Sequence, residues 1–313
     1  MPITLKTSRR SFLKGSLAAT AASFCPSWLR AIDVTITDPH RFALLSDTHI
    51  HVDRTFLHKS KVAVTDMWKN LQQVSNEILA LSARPSAIFI NGDCAFHQGL
   101  RGDYMTFLQG LAPLRAANFP IHLALGNHDH REKFWDILPK DEARKDDLED
   151  HHALFIPAPR ANFFVLDSLK ITDKVSGALG QKQLDWLAAT VDAHADKPAI
   201  VFVHHNPQEE PKIDPTTKKP TISGLEDTKA LLDVLLPRKQ VKALVFGHTH
   251  DWHREEREGL HLVNLPPVAW IFKEGRPAGW VDMNLRDEGA TLELRSLDKK
   301  HPLHGEKYEL NWR

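Results

Sequence analysis

Residues 125–129 read Leu125-Gly126-Asn127-His128-Asp129 and end an apolar run at residues 121–125. The stretch brings an amide oxygen, an imidazole and a carboxylate together in one short turn. Taken alone, Asn-His-Asp after a strand is equally consistent with an Asx turn that only caps its own backbone. If other strands end in the same residue types, a functional site becomes the better interpretation.

Four other apolar runs do end in this way. They are followed by Asp47-Thr48-His49, Gly92-Asp93, His204-His205 and Gly247-His248-Thr249-His250. Ligands of open α/β sheets bind at the carboxyl ends of the strands, so we expect all five stretches to converge on one edge. Nitrogen and oxygen donors without thiolate favour zinc, iron or manganese. A carboxylate such as Asp93 can bridge two ions about 3.5–4 Å apart.

The glycines in these stretches have an expected role as well. We expect Gly92, Gly126 and Gly247 to let the backbone turn sharply beside the ligands, because glycine lacks a Cβ. The pattern therefore predicts one metal centre assembled from the ends of several strands.

Short apolar runs alternate with amphipathic segments along the chain. This pattern predicts strands at residues 42–45, 87–90, 121–125, 163–166, 199–203 and 243–246, and helices at 61–83, 103–117, 181–193 and 225–236. The β-α-β order predicts a largely parallel central sheet. Strands at 260–265, 278–285 and 290–297 follow without long helices between them and predict an antiparallel second sheet or sheet edge. We interpret residues 209–223, which contain three prolines, as a long mobile loop near the site.

The composition limits the function. A chain of 313 residues with 42% hydrophobic content can bury a large core. Forty basic and forty acidic residues give a formal net charge of zero, so we expect no nucleic-acid partner. Two cysteines, Cys25 and Cys94, exclude a disulfide framework. Nineteen histidines, many of them at the ends of apolar runs, indicate metal or acid–base chemistry.

The N-terminus has the pattern of a targeting signal. Ser8-Arg9-Arg10-Ser11-Phe12-Leu13-Lys14 precedes a weakly apolar segment at residues 15–22, which is too short to span a bilayer. It resembles a twin-arginine export signal, whose cargo crosses the membrane folded. We therefore expect residues 1–31 to be a signal peptide, cleaved between Ala22 and Ala31, with the twin-arginine translocase as partner. Residues 32–313 would form a single periplasmic or otherwise exported domain without a membrane span.

In their order, the five stretches resemble the calcineurin-like metallophosphoesterase superfamily. That superfamily has Asp-x-His, Gly-Asp, Gly-Asn-His-(Asp/Glu), His and Gly-His-x-His blocks, and the likeness covers residues 42–250. It implies an α/β fold, a four-layer α/β/β/α sandwich with two mixed β-sheets. It also implies a metal site at the C-terminal ends of the central strands.

The resemblance implies two divalent or trivalent ions of iron, manganese or zinc. Asp93 would bridge them, and the other ligands would divide into two sets: Asp47, His49 and His250 for the first ion, and Asn127, His204 and His248 for the second. The choice of His204 over His205 follows the family pattern, in which the first histidine after the strand is the ligand. His128 would contact the phosphate and help protonate the leaving alkoxide, and a metal-bound hydroxide would be the nucleophile.

Several neighbouring residues have open roles. We expect one or two of His51, His97, His130 and His205 to be supporting donors or phosphate contacts. Asp129 is expected either to orient an imidazole or only to cap its turn. Cys94 is expected to be buried or close to the site.

Phe96 separates the branches of the superfamily. Purple acid phosphatases have a metal-binding tyrosine at this position and protein Ser/Thr phosphatases have an aspartate, so the closer likeness is to bacterial phosphodiesterases of cyclic nucleotides and glycerophosphodiesters. We therefore expect an exported hydrolase of small phosphoesters, acting on phosphodiesters more than on phosphomonoesters. The alternative is a metal-stabilised binding module of the same fold without catalysis. A nuclease is disfavoured because the chain has no basic bias.

Overall fold

Two six-stranded mixed β-sheets lie face to face, and helices cover the outer face of each sheet. The computed structural model describes residues 36–138, 148–214 and 216–313, and the predicted signal peptide lies outside them. Within the described part, Thr37–Arg313 form one compact unit. The four-layer α/β/β/α sandwich implied by the resemblance is confirmed.

The first sheet contains six strands, in the order β16 (Lys307–Asn311), β15 (Gly289–Ser296), β14 (Gly279–Arg286), β1 (Ile36–Leu45), β4 (Ala83–Asn91) and β5 (Ile121–Ala124). The second sheet has the order β12 (His253–Arg257), β13 (Leu260–Asn264), β11 (Val241–Phe246), β8 (Ala199–Phe202), β7 (Asn162–Val165) and β6 (Leu154–Pro157). Two short hairpins pair β2 (His58–Lys59) with β3 (Val64–Thr65), and β9 (Lys212–Ile213) with β10 (Pro220–Thr221).

Five helices are described: α1 (Met67–Leu79), α2 (Arg101–Ala116), α3 (Arg131–Ile137), α4 (Gln181–Ala193) and α5 (Thr228–Leu235). The first three share a core with the first sheet, and the last two share a core with the second. In the part of the chain that is described, no helix is long and apolar enough to cross a bilayer.

Aromatic rings fix the contact between the two sheets. Phe42 of β1 meets Phe163 of β7 edge to face, with ring centroids 4.8 Å apart. Phe89 of β4 stacks on Phe202 of β8 at 4.9 Å, nearly parallel. Aromatic pairs bury a large apolar area and also prefer particular ring orientations. The rings between the sheets therefore hold the two sheets in a fixed relative position.

The C-terminal strands correct the expected topology. β13 pairs in parallel with β11 in the second sheet, whereas β14 pairs antiparallel with β1 in the first. Of the two alternatives expected for the C-terminal strands, the antiparallel sheet edge is confirmed for β14 and β15, which form the edge of the first sheet together with β16. A separate antiparallel sheet is not formed. The parallel pairings expected of the β-α-β units are present, between β4 and β5 and along β7, β8, β11 and β13, but antiparallel strands flank them, so each sheet is mixed. Apolar runs alone do not specify which sheet a strand joins. β13 is buried on both faces, which is typical of a parallel strand inside a sheet, but His261 and Asn264 interrupt its apolar run, so the sequence does not display this burial.

Two local boundaries also differ from the prediction. Helix α1 begins at Met67 rather than at residue 61, because Asp66 caps it by accepting a hydrogen bond from the Lys69 amide at 2.9 Å. The preceding residues form the β2–β3 hairpin. Residues 209–223, expected to be a mobile loop, contain the β9–β10 hairpin.

The layer between the sheets can be tested at Phe163, which is fully buried. We expect Phe163→Ala to reduce the free energy of unfolding by about 3–5 kcal/mol, since it opens a cavity among three other aromatic rings. Urea denaturation followed by circular dichroism measures the change. Met105→Ala on the exposed face of α2 is the control and should change it by about 0.5 kcal/mol or less. Equal effects of the two substitutions would contradict the aromatic contact as the main intersheet interaction.

Candidate metal centre

The five polar stretches meet where the carboxyl ends of the two sheets adjoin. Strands β1, β4 and β5 deliver three stretches from the first sheet, and β8 and β11 deliver two from the second. The expected convergence therefore involves the edges of two sheets rather than of one. Backbone hydrogen bonds continue from β1 to β4 beyond the sheet, from the Asp47 amide to Gly92 O (3.2 Å) and from the His49 amide to Asp93 O (2.8 Å). These bonds fix the spacing of the first two stretches.

One group of potential ligands consists of Asp47, His49 and His250. The His250 Nε2 atom lies 3.4 Å from Asp47 Oδ1 and 3.1 Å from His49 Nε2. All three residues are buried. Two imidazole nitrogens and a carboxylate oxygen that converge in this way can hold a first-row metal ion.

A second group consists of Asp93, His204 and His248. Asp93 Oδ2 lies 3.3 Å from His204 Nε2 and 3.4 Å from His49 Nε2, so this carboxylate lies between the two groups. The Asn127 Oδ1 atom is buried and accepts no hydrogen bond from the described residues. A buried polar atom without a partner is costly, and a cation would satisfy it. The donor set therefore fits metal ions.

Backbone carbonyls orient the four histidines of these groups. Three imidazoles donate Nδ1–H and present Nε2 inward, whereas His248 donates Nε2–H and presents Nδ1. The acceptors, at 2.5–3.0 Å, are Phe96 O for His49, Asn91 O for His204, Trp270 O for His250 and Ser223 O for His248. Such outer hydrogen bonds select the tautomer in which the inward nitrogen carries a free lone pair.

The buried carboxylates give the centre a strong preference for positive charge. Burial acts to raise the pKa of Asp47, but the His250 and His204 imidazoles outweigh it and lower the pKa to about 2. For His204, burial acts to lower the pKa, and the charges of Asp93 and Asp47 raise it to about 10. Burial lowers the pKa of His49 to about 3. A metal ion would supply the positive charge that the carboxylates attract.

Backbone strain is concentrated at the same residues. Five of them have left-handed backbone conformations, with φ between 46° and 67°: Asp47, His49, Asp93, His248 and His250. Residues other than glycine adopt this conformation rarely, and aspartate and histidine are among the more tolerant types. Strain of this kind persists where the surrounding structure overdetermines it, and it is typical of functional sites.

The three glycines have different roles. Gly92 has a φ of 85°, so it provides the expected turn. A Cβ on Gly126 would lie 2.1 Å from Asp93 Oδ1, and a Cβ on Gly247 would lie 2.1 Å from Ser46 Oγ. Close approach, rather than a sharp turn, therefore requires glycine at the last two positions.

Asp129 stabilises backbone and contacts no imidazole in the described structure. Its Oδ2 accepts hydrogen bonds from the amides of Gly126 (2.9 Å) and Cys94 (3.2 Å), and its Oδ1 accepts from Ala95 N (3.0 Å) and Tyr104 Oη (3.1 Å). The suggestion that it orients an imidazole is wrong. It joins the turn after β5 to the turn after β4.

His128 lies on the open side of the centre, with about 20% of its side chain exposed. Its amide donates to Asp93 Oδ1 at 2.9 Å. Its Nδ1 lies 2.9 Å from His97 O and 3.2 Å from Asp173 Oδ1. This anchoring leaves Nε2 as the free nitrogen of the ring.

The geometry above agrees with a family model that describes calcineurin-like phosphoesterases and matches residues 40–252. The chain belongs to the calcineurin-like phosphoesterase family. It is a metal-dependent phosphoric ester hydrolase. Residues 6–24 match the twin-arginine translocation pathway signal sequence, which confirms the predicted export of this phosphoesterase by that pathway.

The curated relatives of this phosphoesterase include named phosphodiesterases. It is 28% identical over 231 residues to the 3',5'-cyclic adenosine monophosphate phosphodiesterase CpdA of Pseudomonas aeruginosa, covering 74% of this chain and 77% of that one. It is 25% identical over 268 residues to CpdA of Haemophilus influenzae, covering 82% and 85%. A probable glycerophosphodiester phosphodiesterase GpdQ of Arcobacter nitrofigilis is 28% identical over 211 residues, covering 66% and 70%.

Solved structures support the fold. A dimetal phosphatase from Danio rerio superposes with a TM-score of 0.67 at 18% identity, covering 88% of this chain and all of that chain. A purple acid phosphatase from yellow lupin superposes with a TM-score of 0.60 at 12% identity, covering 88% and 54%. Likeness at this identity establishes the architecture of this phosphoesterase and nothing finer.

The structure shows the surroundings of the histidines and the cysteine whose roles the sequence left open. His97 lies against His128, with ring centroids 4.8 Å apart. His205 bonds Ser168 Oγ at 2.7 Å and turns away from Asp93, so His204 is the histidine that the structure brings to the centre. His51 stacks on Phe56, the amide of His130 bonds Tyr104 Oη, and Cys94 is fully buried. Burial raises the pKa of the Cys94 thiol well above its usual value.

The structure adds residues to the site that no strand-end stretch indicated, and one of them, Lys212, belongs to the segment 209–223 expected near the site. A cavity of about 440 Å³ beside the centre is lined in part by Asp173, Val175, Lys212, Trp270 and Phe272. Phe272 stacks on His250 at 4.1 Å while 59% of it is exposed. These residues lie on loops and on one short hairpin, so no strand-end pattern precedes them.

The close contact at Gly126 generates a prediction. We expect Gly126→Ala to displace the Asp93 carboxylate, to lower the metal content and to destabilise the fold by about 1–3 kcal/mol. Elemental analysis and thermal denaturation measure both effects. Gly102→Ala in α2 is the control, because its Cβ would also make a close contact, 2.6 Å from Val52 Cγ2 and 3.1 Å from Val52 Cβ, but with no potential ligand, so it should keep the full metal content. Full metal occupancy in Gly126→Ala would contradict the importance of this contact.

Proposed function

We propose that this protein is an exported, periplasmic dinuclear-metal phosphodiesterase that hydrolyses small phosphodiesters. The observation that carries the proposal is the position of Asp93. Its Oδ2 lies within 3.4 Å of a histidine from each ligand group, which is the arrangement that a carboxylate bridging two ions requires. The proposed mature chain is a single domain at residues 32–313, after removal of residues 1–31.

Each of the two ligand groups described above would hold one metal ion. Asp47, His49 and His250 would hold the first ion, Asn127, His204 and His248 the second, and Asp93 both. When bound, the ions neutralise phosphate charge and lower the pKa of a water molecule for attack on phosphorus. The identity of each ion would follow metal supply among iron, manganese and zinc, since these donors accept several first-row ions.

His128 would act on the leaving group. Its backbone is fixed to Asp93, its side chain is more exposed than those of His49 and His204, and it lines the cavity. The free Nε2 can contact the phosphate and transfer a proton to the departing alkoxide oxygen. A positioned general acid of this kind commonly contributes about 10²- to 10⁴-fold to a rate.

The cavity supports diesters as the substrate class. At about 440 Å³ it is large enough for an organic group beside the phosphate, and Phe272, Val175 and Trp270 give it an apolar wall. Lys212 adds a positive charge to the lining. The named activities of the relatives, on 3',5'-cyclic adenosine monophosphate and on glycerophosphodiesters, agree with this class.

Activity and metal content of the mature protein test the proposal. We expect two ions per chain and turnover of cyclic nucleotides or glycerophosphodiesters that exceeds turnover of the matched phosphomonoesters. A chelator should abolish activity and lower the melting temperature, and manganese, iron or zinc should restore both. Product release measured by chromatography across a panel of diesters and monoesters gives the preference.

The outcomes separate the alternatives. Two bound ions without turnover of any ester would favour the non-catalytic binding module. A faster rate on monoesters would contradict the diester preference. Fewer than two ions in fully active protein would contradict the dinuclear centre.

Neighbouring residues should separate metal binding from chemistry. We expect Asn127→Ala to lose bound metal, because it removes a ligand oxygen. His128→Ala should keep both ions while kcat falls by about 10²- to 10⁴-fold. Elemental analysis and steady-state kinetics on the same preparations measure the two effects. Wild-type turnover in His128→Ala would overturn its assignment as proton donor.

A further inference from the structure

A loop between β7 and α4 grips the Gly-Asn-His-Asp turn on both sides of His128. The Asp173 amide donates to Asn127 O at 2.7 Å. The Thr172 hydroxyl donates to Asp129 O at 2.8 Å. The loop therefore holds the carbonyls of the residues immediately before and after His128.

The same loop also reaches the imidazole. Asp173 Oδ1 lies 3.2 Å from His128 Nδ1, and His97 O lies 2.9 Å from the same nitrogen. A backbone carbonyl can only accept, so Nδ1 carries the hydrogen and donates it to acceptors on this side. The lone pair or the second proton then belongs to Nε2, which is the nitrogen left for the substrate.

We infer that Asp173 is a positioning residue that holds His128 with Nδ1 protonated and Nε2 turned toward the leaving group. The inference rests on the proposed function, in which His128 donates a proton from Nε2. Asp173 neither gains nor loses a proton in this role. Nε2 transfers its proton to the leaving oxygen, and Nδ1 keeps its hydrogen, which faces His97 O and the Asp173 carboxylate.

Orientation, rather than charge, is the larger contribution of Asp173. About 43% of its side chain is exposed, so solvent and salt screen its attraction to a protonated imidazole. The hydrogen bond from its amide to Asn127 O and the approach of its carboxylate to His128 Nδ1 fix the position of the ring, and such positioning depends little on salt. A third metal ion held by His97, His128 and Asp173 fits less well, because His128 Nδ1 already points its hydrogen at a carbonyl.

Dependence on the leaving group tests the inference. A proton donor matters for a sugar alkoxide and hardly matters for p-nitrophenolate, which departs unprotonated. We expect Asp173→Ala to lower kcat on a cyclic nucleotide about tenfold or more, and to change kcat on bis(p-nitrophenyl) phosphate less than about threefold. KM should change little for either substrate. Asp173→Asn keeps an acceptor oxygen and should lose less than Asp173→Ala.

Two controls accompany these variants. Asp185→Asn removes one exposed carboxylate on α4, where it bonds Gln181, and should leave both rates at the wild-type value. Metal content and melting temperature should match the wild type in every Asp173 variant. Long-range ¹H–¹⁵N NMR gives a readout independent of turnover. The His128 signal, identified by its absence in His128→Ala, should report Nδ1 protonation that weakens in Asp173→Ala.

The failures are distinguishable. Full activity in His128→Ala overturns the proposed proton donor, and the inference with it. If His128→Ala is inactive on the cyclic nucleotide and Asp173→Ala is not slowed, only the positioning role is overturned. Equal loss on both substrates in Asp173→Ala also overturns it, because a general disturbance of the site would not depend on the leaving group.

Discussion

The carboxylate of Asp93 is the constraint on which the rest of the site depends. It is buried, with an exposed fraction of 2%, and an isolated buried carboxylate is strongly unfavourable. Its Oδ1 accepts the His128 amide, and its Oδ2 lies between His49 and His204, which follow strands of different sheets. Even the residue beside it must be Gly126, since a Cβ there would occupy the space of the carboxylate. One charged group thereby sets the spacing of four strand ends.

The surrounding fold supports a site that violates local preferences. Five potential ligands have left-handed backbone conformations, each of which costs roughly 1–3 kcal/mol. Three separate apolar cores, one between the sheets and one under each helical layer, hold the strands that carry them. The stability of these cores offsets the strain of the left-handed residues, as is typical of functional sites in otherwise regular folds.

The sequence predicted the site residues that follow strands and missed those that lie in loops. Asp47, His204 and the other expected ligands were found because each directly follows an apolar strand, where periodicity and position are both informative. Asp173 lies eight residues beyond the end of β7, and Phe272 lies in the loop after β13, where no periodic pattern leads to them. The two roles expected for Asp129 could not be separated from the sequence, because its partners are three backbone amides and the Tyr104 hydroxyl, which only the folded chain brings to it. The parallel pairing of β13 with β11 was missed for a related reason: apolar runs predict strands but not their neighbours.

The division of the ligands between two sheets determines when the metal centre can exist. Four of the seven proposed ligands follow strands of the first sheet and three follow strands of the second, so neither sheet alone carries the whole proposed set. The ligands meet only after the aromatic layer between the sheets has packed. A twin-arginine signal directs a chain that has already folded. The proposed ligands would therefore already be assembled before the membrane is crossed, so the compartment in which the chain is synthesised would have the first opportunity to supply a metal.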